Sequence, residues 1–199
     1  HTSNDGVTMI KVFSYNNRNM HIDSYEKMLR ARARVFGERM KWDVQIADGK
    51  EEDEYDRKHN PLYFIVERPD GTHATSMRII PTTGPTMLRD KFHKFFPECP
   101  DIYSSTIWES TRYCATLTAG EIHYTAELAR NLCQTCLENG ITHLTGIFFH
   151  PMQRIYERAG WPPEPIMSAR LDGKMITLAT FDVSQARLDE INKKFTLAA

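Results

Sequence analysis

Two hydrophobic periods alternate along the chain, one of two residues and one of three to four, and they mark out its elements. Residues 7–15 (VTMIKVFSY) are rich in β-branched and aromatic side chains and break at the polar NNRN, which predicts a first strand. Asp23 or Ser24 caps the helix expected next, whose apolar stripe is Tyr25, Met28, Leu29, Val35 and Phe36. Residues 42–60 are polar and aperiodic, and loops of that length in compact domains are more often functional than idle. The runs LYFIVE (62–67) and ATSMRII (74–80), separated by RPDGTH, predict an antiparallel hairpin. A helix over 87–96 ends at Pro97, a strand over 105–114 follows, and 119–139 is the longest helix, closed by Gly140. Next come a strand over 142–149 and a helix over 152–159 stopped by Gly160 and Pro162. A hairpin of 166–171 and 175–181 across Asp172-Gly173 and a terminal helix capped by Ser184 complete the pattern. Strands before and after central helices predict an α/β fold, a mixed central β-sheet flanked by helices on both faces.

Composition narrows the classes. At 199 residues the chain suffices for one well-filled core, and no glycine- or proline-rich linker divides it, so a single domain over 1–199 is expected. The hydrophobic share of 41% and charged share of 26% are ordinary for a globular protein. Lys+Arg 25 against Asp+Glu 26 gives a net charge of -1, which argues against a nucleic-acid partner and makes any charge recognition local. No apolar run approaches the roughly 20 residues of a membrane span, and HTSNDG lacks the parts of a signal peptide; His1 reads as a tag or cleavage remnant. Cys99, Cys114, Cys133 and Cys136 are too few and too uneven for a disulfide framework, which points to a reducing cytoplasm. Cys133 and Cys136 lie inside a helix with no second CxxC, and His123, His143 and His150 lack ligand spacing, so no metal site is expected.

The charged residues carry the candidate chemistry. From Leu29 the chain reads LRARARVFGERMKWDVQ, placing arginines 30, 32, 34 and 39 around Phe36 and before Trp42. Arg30 and Arg34 are read as a solvated helix face. The run GKEEDEYD is by itself a solvated acidic loop, but after an arginine helix it can fold back and pair. Such a network presents carboxylates to a cationic small molecule while its arginines keep the acids ionised, with Asp53 and Asp56 the chosen members and Tyr55 in the wall. The strand IWESTRYC (107–114) holds Glu109 and Arg112, and burying either charge alone costs roughly several kcal/mol. Three residues apart, they face opposite sides of a straight strand unless a bulge brings them nearer, and bulges are common beside active sites. Arg78, in SMRIIPT, is a second arginine flanked by apolar residues.

As a set, Arg32, Phe36, Trp42, Asp53 and Asp56 in DEYD, Arg78 in MRIIPT, and Glu109 with Arg112 in WESTRY resemble the N-acyl-homoserine-lactone synthases, the bacterial autoinducer synthase family. The match covers the first two-thirds of the chain in register and continues loosely through HPM (150–152) and RAGW (158–161). The resemblance implies a three-layer αβα sandwich like that of the GNAT acetyltransferases. It also implies a reaction in which the amine of S-adenosylmethionine attacks an acyl thioester on acyl carrier protein or coenzyme A, followed by lactone closure and release of methylthioadenosine. S-adenosylmethionine is then a substrate, and no cofactor is required. Glu109 is the expected base, with Arg112 and Asp53 as further catalytic candidates. Arg32, Phe36, Trp42, Asp53, Asp56, Arg78 and Arg112 are the expected S-adenosylmethionine-binding set. Ile107, Trp108, Phe148, Phe149, Met152 and Ile155 are the expected acyl pocket, with Leu144 and Ile147 also weighed. Arg154 and Arg158, four apart on one helix, match carrier-docking positions. The position linked in the family with 3-oxo preference falls on Gly146, beside Thr145, which weakens any expectation of a 3-oxo product.

Two rival readings are a GNAT-type coenzyme A-dependent N-acyltransferase acting on another amine, and a non-catalytic nucleotide-binding module. Against the first stands the absence of a glycine-rich RxxGxG/A loop after WESTRYC, where TLTAGEIHYTAELARN has one glycine.

Overall fold

The computed structural model describes residues 9–198, so Val7 and Thr8 of the expected first strand and the HTSNDG terminus lie outside the described residues. A mixed seven-stranded sheet has the order β1 (Met9–Ser14), β4 (Leu62–Glu67), β5 (His73–Pro81), β6 (Ile107–Ala115), β7 (His143–Phe149), β9 (Lys174–Asp182) and β8 (Glu164–Leu171). A small hairpin of β2 (Ile46–Ala47) and β3 (Lys50–Glu51) stands apart from it. The helices are α1 (Ile22–Arg32), α2 (Glu54–His59), α3 (His123–Glu138), α4 (Gln153–Arg158) and α5 (Gln185–Ala198). Packing divides the chain into two compact units, residues 1–78 with 112–128 and residues 79–111 with 129–199, so β5 and β6 each contribute to both.

In the first unit β1 and β4 pair antiparallel, Met9 opposite Glu67 through Ser14 opposite Leu62. Phe13 on β1 and Tyr63 and Ile65 on β4 share one face by strand alternation, and Tyr25, Met28 and Leu29 share one side of α1 by helical spacing. These six form one buried cluster, each contributing about 1.5–3 kcal/mol by leaving water. The helix expected to run through Phe36 widens after Arg32 into a π-helical stretch, Ala33–Arg39, in which Met40 N–H reaches back to Val35 O at 2.9 Å. Lys41 then takes a left-handed turn (φ 55), and Trp42 N–H closes on Phe36 O at 2.7 Å. The aperiodic segment 42–60 holds the β2–β3 hairpin and α2, elements too short to leave a period in the sequence.

In the second unit β7 is central, antiparallel to β9 from His143 opposite Asp182 to Phe149 opposite Ile176. Its parallel pairing with β6 covers only Ile107–Glu109 against His143–Thr145. On one face Phe96, Ile176 and Leu178 gather Leu88, Phe92, Phe95, Ile147, Phe149 and Met167. On the other, Phe148, Tyr156 and Phe181 meet edge to face, and the Trp161 indole N–H donates to Asp182 O at 2.9 Å. The helix expected over 87–96 is instead a π turn (Leu88–Phe92) followed by a 3-10 turn (His93–Phe95); a side chain from β6 accepts from its first N–H groups, and its apolar residues pack into this core. Helix α3 starts at His123 rather than 119, since Glu121 is drawn off to Arg68 and to the backbone of Thr118.

The turn signals act as anticipated: Asp172 (φ 49) and Gly173 (φ 77) turn the last hairpin, Gly140 (φ 71) closes α3, and Ser184 Oγ accepts from Arg187 N–H at the start of α5. All four cysteines are free thiols. Among the described residues no helix is long and apolar enough to cross a membrane.

Gly160 and Gly173 both have positive φ, yet a Cβ on Gly160 would sit 3.0 Å from Glu190 O and 3.1 Å from the Ile191 Cα, whereas one on Gly173 meets nothing within 4 Å. Gly173→Ala is therefore expected to cost about 1 kcal/mol from backbone strain, and Gly160→Ala about 2–3 kcal/mol because α5 must also shift. Urea denaturation of the two variants checks the order; equal losses would show that α5 does not pack there as described.

Candidate active site

The acidic run folds back onto the arginine helix. Arg32 at the end of α1 is fully buried and grips Glu51 of β3 through Nε (3.1 Å) and Nη2 (2.9 Å to Oε2), and Asp56 of α2 through Nη1 (3.1 Å) and Nη2 (2.8 Å). Arg78, midway along β5, places Nη1 2.6 Å and Nη2 2.8 Å from the two oxygens of Asp53, and Nη1 2.9 Å from Asp56. Arg112 reaches the same group from β6, Nε at 2.8 Å from Glu51 and Nη2 at 3.1 Å from Asp53. Three guanidinium groups thus face three carboxylates and the cluster is neutral as a whole, the condition under which buried charge is tolerated. No buried side-chain nitrogen or oxygen among the described residues lacks a hydrogen-bond partner.

Local chain geometry also fixes the two aspartates, independently of the arginines. Asp53 and Asp56 form a capping box at the start of α2: Asp53 Oδ1 accepts from Asp56 N–H at 3.1 Å, and Asp56 Oδ2 accepts from Asp53 N–H at 2.9 Å. Tyr63 on β4 donates its hydroxyl to Asp56 Oδ1 at 2.7 Å, and Tyr25 on α1 donates to Glu52 at 3.1 Å. Burial, and then the Asp56 carboxylate, push the Tyr63 hydroxyl upward, so it remains a donor.

Arg112 sits at φ 59, in the left-handed region that an arginine seldom enters. Of the two alternatives the E-x-x-R spacing left open, separate tasks or a bulge that joins the pair, the contacts show separate partners: Arg112 lies on Glu51 and Asp53, and Glu109 on the backbone of Met87 and Leu88. The exposures then separate two roles: the side chains of Arg32, Glu51, Asp56 and Arg78 are 0–1% exposed, while Asp53 is 13% and Arg112 12% exposed. Beside them Phe36 and Trp42 stack at 4.8 Å, 2° from parallel, and the Arg112 guanidinium carbon lies 5.6 Å from the Phe36 ring centre. The Tyr55 ring lies 5.7 Å from the Arg78 guanidinium carbon.

Burial alone would raise both aspartates, but ion pairing outweighs it. Arg78, with Arg112 farther off, holds Asp53 below the usual carboxylate range, and Arg32 with Arg78 holds Asp56 well below it. Burial likewise opposes the charge of Arg32, and Asp56 with Glu51 raise it well above its ordinary value. For Arg112, burial and the neighbouring Arg78 outweigh Glu51 and lower its pKa. One oxygen from each of Glu51, Asp53 and Asp56 lies within 4.8 Å of the others, a grouping that could hold a metal ion, but three guanidinium groups already lie on it.

Glu109 belongs to the second unit, where it is buried. Its two oxygens accept backbone N–H bonds from Met87 (2.8 Å) and Leu88 (2.9 Å), which fixes the carboxylate in place. Its register partner on β7 is Thr145, and next along that strand comes Gly146, where an added Cβ would lie 3.1 Å from Ser110 Oγ. The six expected acyl-pocket residues do not line one face. Phe149 packs with Ile176 and Phe96, Phe148 packs on Tyr156 and Phe181, and Ile107 and Trp108 diverge in the same way by alternation on β6. Met152 and Ile155 are half-buried, one before and one within α4, whose Arg154 and Arg158 are exposed.

Sequence reasoning passed over Glu51, Tyr63 and the two N–H donors to Glu109. Glu51 was legible in principle, since the alternation E-x-D puts it on the same side of an extended segment as Asp53.

The sheet order with its flanking helices defines the GNAT-like class of acyltransferase fold. A family model described as autoinducer synthase matches residues 16–191. An acyl-homoserine-lactone synthase of Rhizobium etli is 36% identical over 165 residues, 81% of this chain and 78% of that protein. One from Agrobacterium fabrum is 31% identical over 171 residues, 79% of this chain and 81% of that protein. Among solved structures, a coenzyme A-dependent acyl-homoserine lactone synthase, BjaI, with S-adenosylmethionine and isopentyl-CoA, superposes with a TM-score of 0.83 at 25% identity, covering 96% of this chain and 90% of that one. The chain belongs to the autoinducer synthase family of enzymes.

Because Asp56 has a lower pKa folded than unfolded, its contribution to stability is complete above the ordinary carboxyl value of 3.8 and is lost as pH falls through the folded value. Asp56→Asn leaves Arg32 and Arg78 short of a counter-charge and is expected to cost about 3–5 kcal/mol at pH 7. In urea titrations that gap should narrow below pH 4; a gap independent of pH would remove the ion pairs as its source.

Proposed function

We propose that this chain makes an N-acyl-homoserine lactone from S-adenosylmethionine and an acyl thioester, with the arginine–carboxylate cluster as the S-adenosylmethionine site. The observation that carries the reading is the pairing of Asp53 and Arg112 as the two cluster members that reach solvent, 3.1 Å apart. S-adenosylmethionine carries a sulfonium cation and a carboxylate a few bonds apart, and these two side chains offer the matching charges. Arg32, Arg78, Glu51 and Asp56 then act as the frame that keeps Asp53 ionised and Arg112 aimed. The Phe36–Trp42 stack supplies a flat apolar surface for the adenosine.

The chemistry has two bond-forming steps. Glu109, directly or through a water, takes a proton from the substrate ammonium; the freed amine attacks the thioester carbonyl, an amide forms and the thiol leaves. The two backbone N–H groups that hold the carboxylate fix its orientation for that transfer. The methionyl carboxylate then attacks its own γ-carbon, the C–S bond breaks, and neutral methylthioadenosine departs as the lactone closes. Neither step calls for a metal or redox cofactor.

Coenzyme A is the donor carrier consistent with the isopentyl-CoA seen with BjaI. Acyl carrier protein is the second donor we propose, docking on exposed Arg154 and Arg158 of α4. Four free thiols, three of them buried, suit a reducing cytoplasm. A coenzyme A-dependent transfer to another amine is the second reading, and methylthioadenosine release separates the two.

Glu109→Gln keeps the size and removes the base. It is expected to retain S-adenosylmethionine binding by calorimetry and to lose about 10²–10⁴-fold in methylthioadenosine release; unchanged turnover would strip Glu109 of the role. For the docking helix, Arg154→Glu with Arg158→Glu should raise KM for a carrier-bound donor at least about tenfold more than for a coenzyme A donor. Equal changes with both donors would count against α4 as the dock.

A further inference from the structure

A cleft of about 400 Å³ opens in the first unit, lined by Arg34, Val35, Glu38, Arg39, Thr116 and Leu117. All four helical residues in that lining belong to the π-helical stretch Ala33–Arg39. Arg32 and Phe36 point from one side of this helix toward the network, while Arg34 and Glu38 are exposed on another, so the same widened turn serves two sites. Neither Arg34 nor Arg39 has a hydrogen-bond or ion-pair partner among the described residues, in contrast to Arg32, Arg68, Arg78, Arg89, Arg112 and Arg187.

The opposite wall is built rigidly. Thr116 N–H donates to Ala74 O at 2.9 Å, its hydroxyl donates to His73 O at 2.6 Å, and its carbonyl accepts Arg68 Nη2 at 2.7 Å. Arg68 in turn holds Glu121, which accepts from Thr118 N–H at 2.8 Å and so fastens the loop past Leu117. The cleft therefore combines a fixed rim with two uncommitted guanidinium groups, against which stands one carboxylate, Glu38; the balance favours an anion.

We infer that this cleft takes the phosphate-bearing portion of the acyl donor's pantetheine arm. The inference rests on the proposed reaction, in which the thioester carrier is the one reactant bearing phosphate: coenzyme A, or the phosphopantetheine of a carrier protein. Arg34 and Arg39 are its charge-assisted donors. Thr116 stands four residues beyond Arg112 on one extended segment, about 13 Å away, a separation suited to a long arm with its thioester end near the cluster.

The test compares three donors carrying one acyl group: acyl-CoA, acyl-carrier protein, and acyl-pantetheine, which has no phosphate. In Arg34→Ala with Arg39→Ala, KM for acyl-CoA should rise by about tenfold or more relative to KM for acyl-pantetheine, with little change in kcat. Glu38→Gln should shift the same ratio the opposite way. A parallel rise with acyl-carrier protein assigns the phosphodiester of the arm, and a rise confined to acyl-CoA assigns its nucleotide phosphates. A KM for acyl-CoA that does not move, or moves equally with acyl-pantetheine, overturns the inference. If the unaltered enzyme released no methylthioadenosine from any of the three donors, the proposed reaction itself would fail instead.

Discussion

Three carboxylates and three arginines, all but Asp53 and Arg112 shut off from water, hold one another ionised, and the first unit is arranged around that exchange. Arg32 brings the end of α1, Glu51 the small hairpin, Asp53 and Asp56 the start of α2, Arg78 the middle of β5 and Arg112 the end of β6. Five segments are tied by six charges whose removal, one at a time, strands a partner in low dielectric. Such a cluster is a weak source of net stability, because desolvation offsets most of its Coulomb energy. What it shows is one arrangement in which every one of the six groups has a partner of opposite charge.

That geometry has a backbone consequence at Arg112. A non-glycine residue at φ 59 is strained, and it persists because two carboxylates hold its side chain. Nearby, β6 and β7 keep parallel register for only three residue pairs, ending at Glu109 and Thr145. Past that point strand β6 follows the needs of its side chains rather than of the ladder: Glu109 caps the turn at Met87 and Leu88, and Arg112 joins the acids. A buried carboxylate and an ion-pairing arginine thus come from one short strand with separate supports.

The π-helical stretch after Arg32 has a similar double use. Widening the helix lets Phe36 meet Trp42 face to face while the next residues around the turn open a cleft with free guanidinium groups. A regular helix would advance these side chains by 100° each and would not give both faces the same spacing.

The sequence by itself determined the strands, the two hairpins, the mixed α/β class and most of the charged cluster, because period, turn chemistry and apolar flanks are local properties. Asp172-Gly173, Gly140 and Ser184 do what their side chains dictate wherever they occur. Arg78, Glu109 and Arg112 were legible as charges in apolar strands, and the spacing of the last two left open whether they act apart or are joined by a bulge. Only the tertiary structure decided which charges pair. It drew in Glu51 and Tyr63, made Asp56 an interior brace and Asp53 the accessible acid, and turned two expected helical segments into π and 3-10 turns. It also sent Phe148 and Phe149 to opposite faces. The physical reason is common to all of these: partner choice among buried ions, and the packing of short helical turns onto the sheet, depend on groups far away in the chain, which no local pattern records.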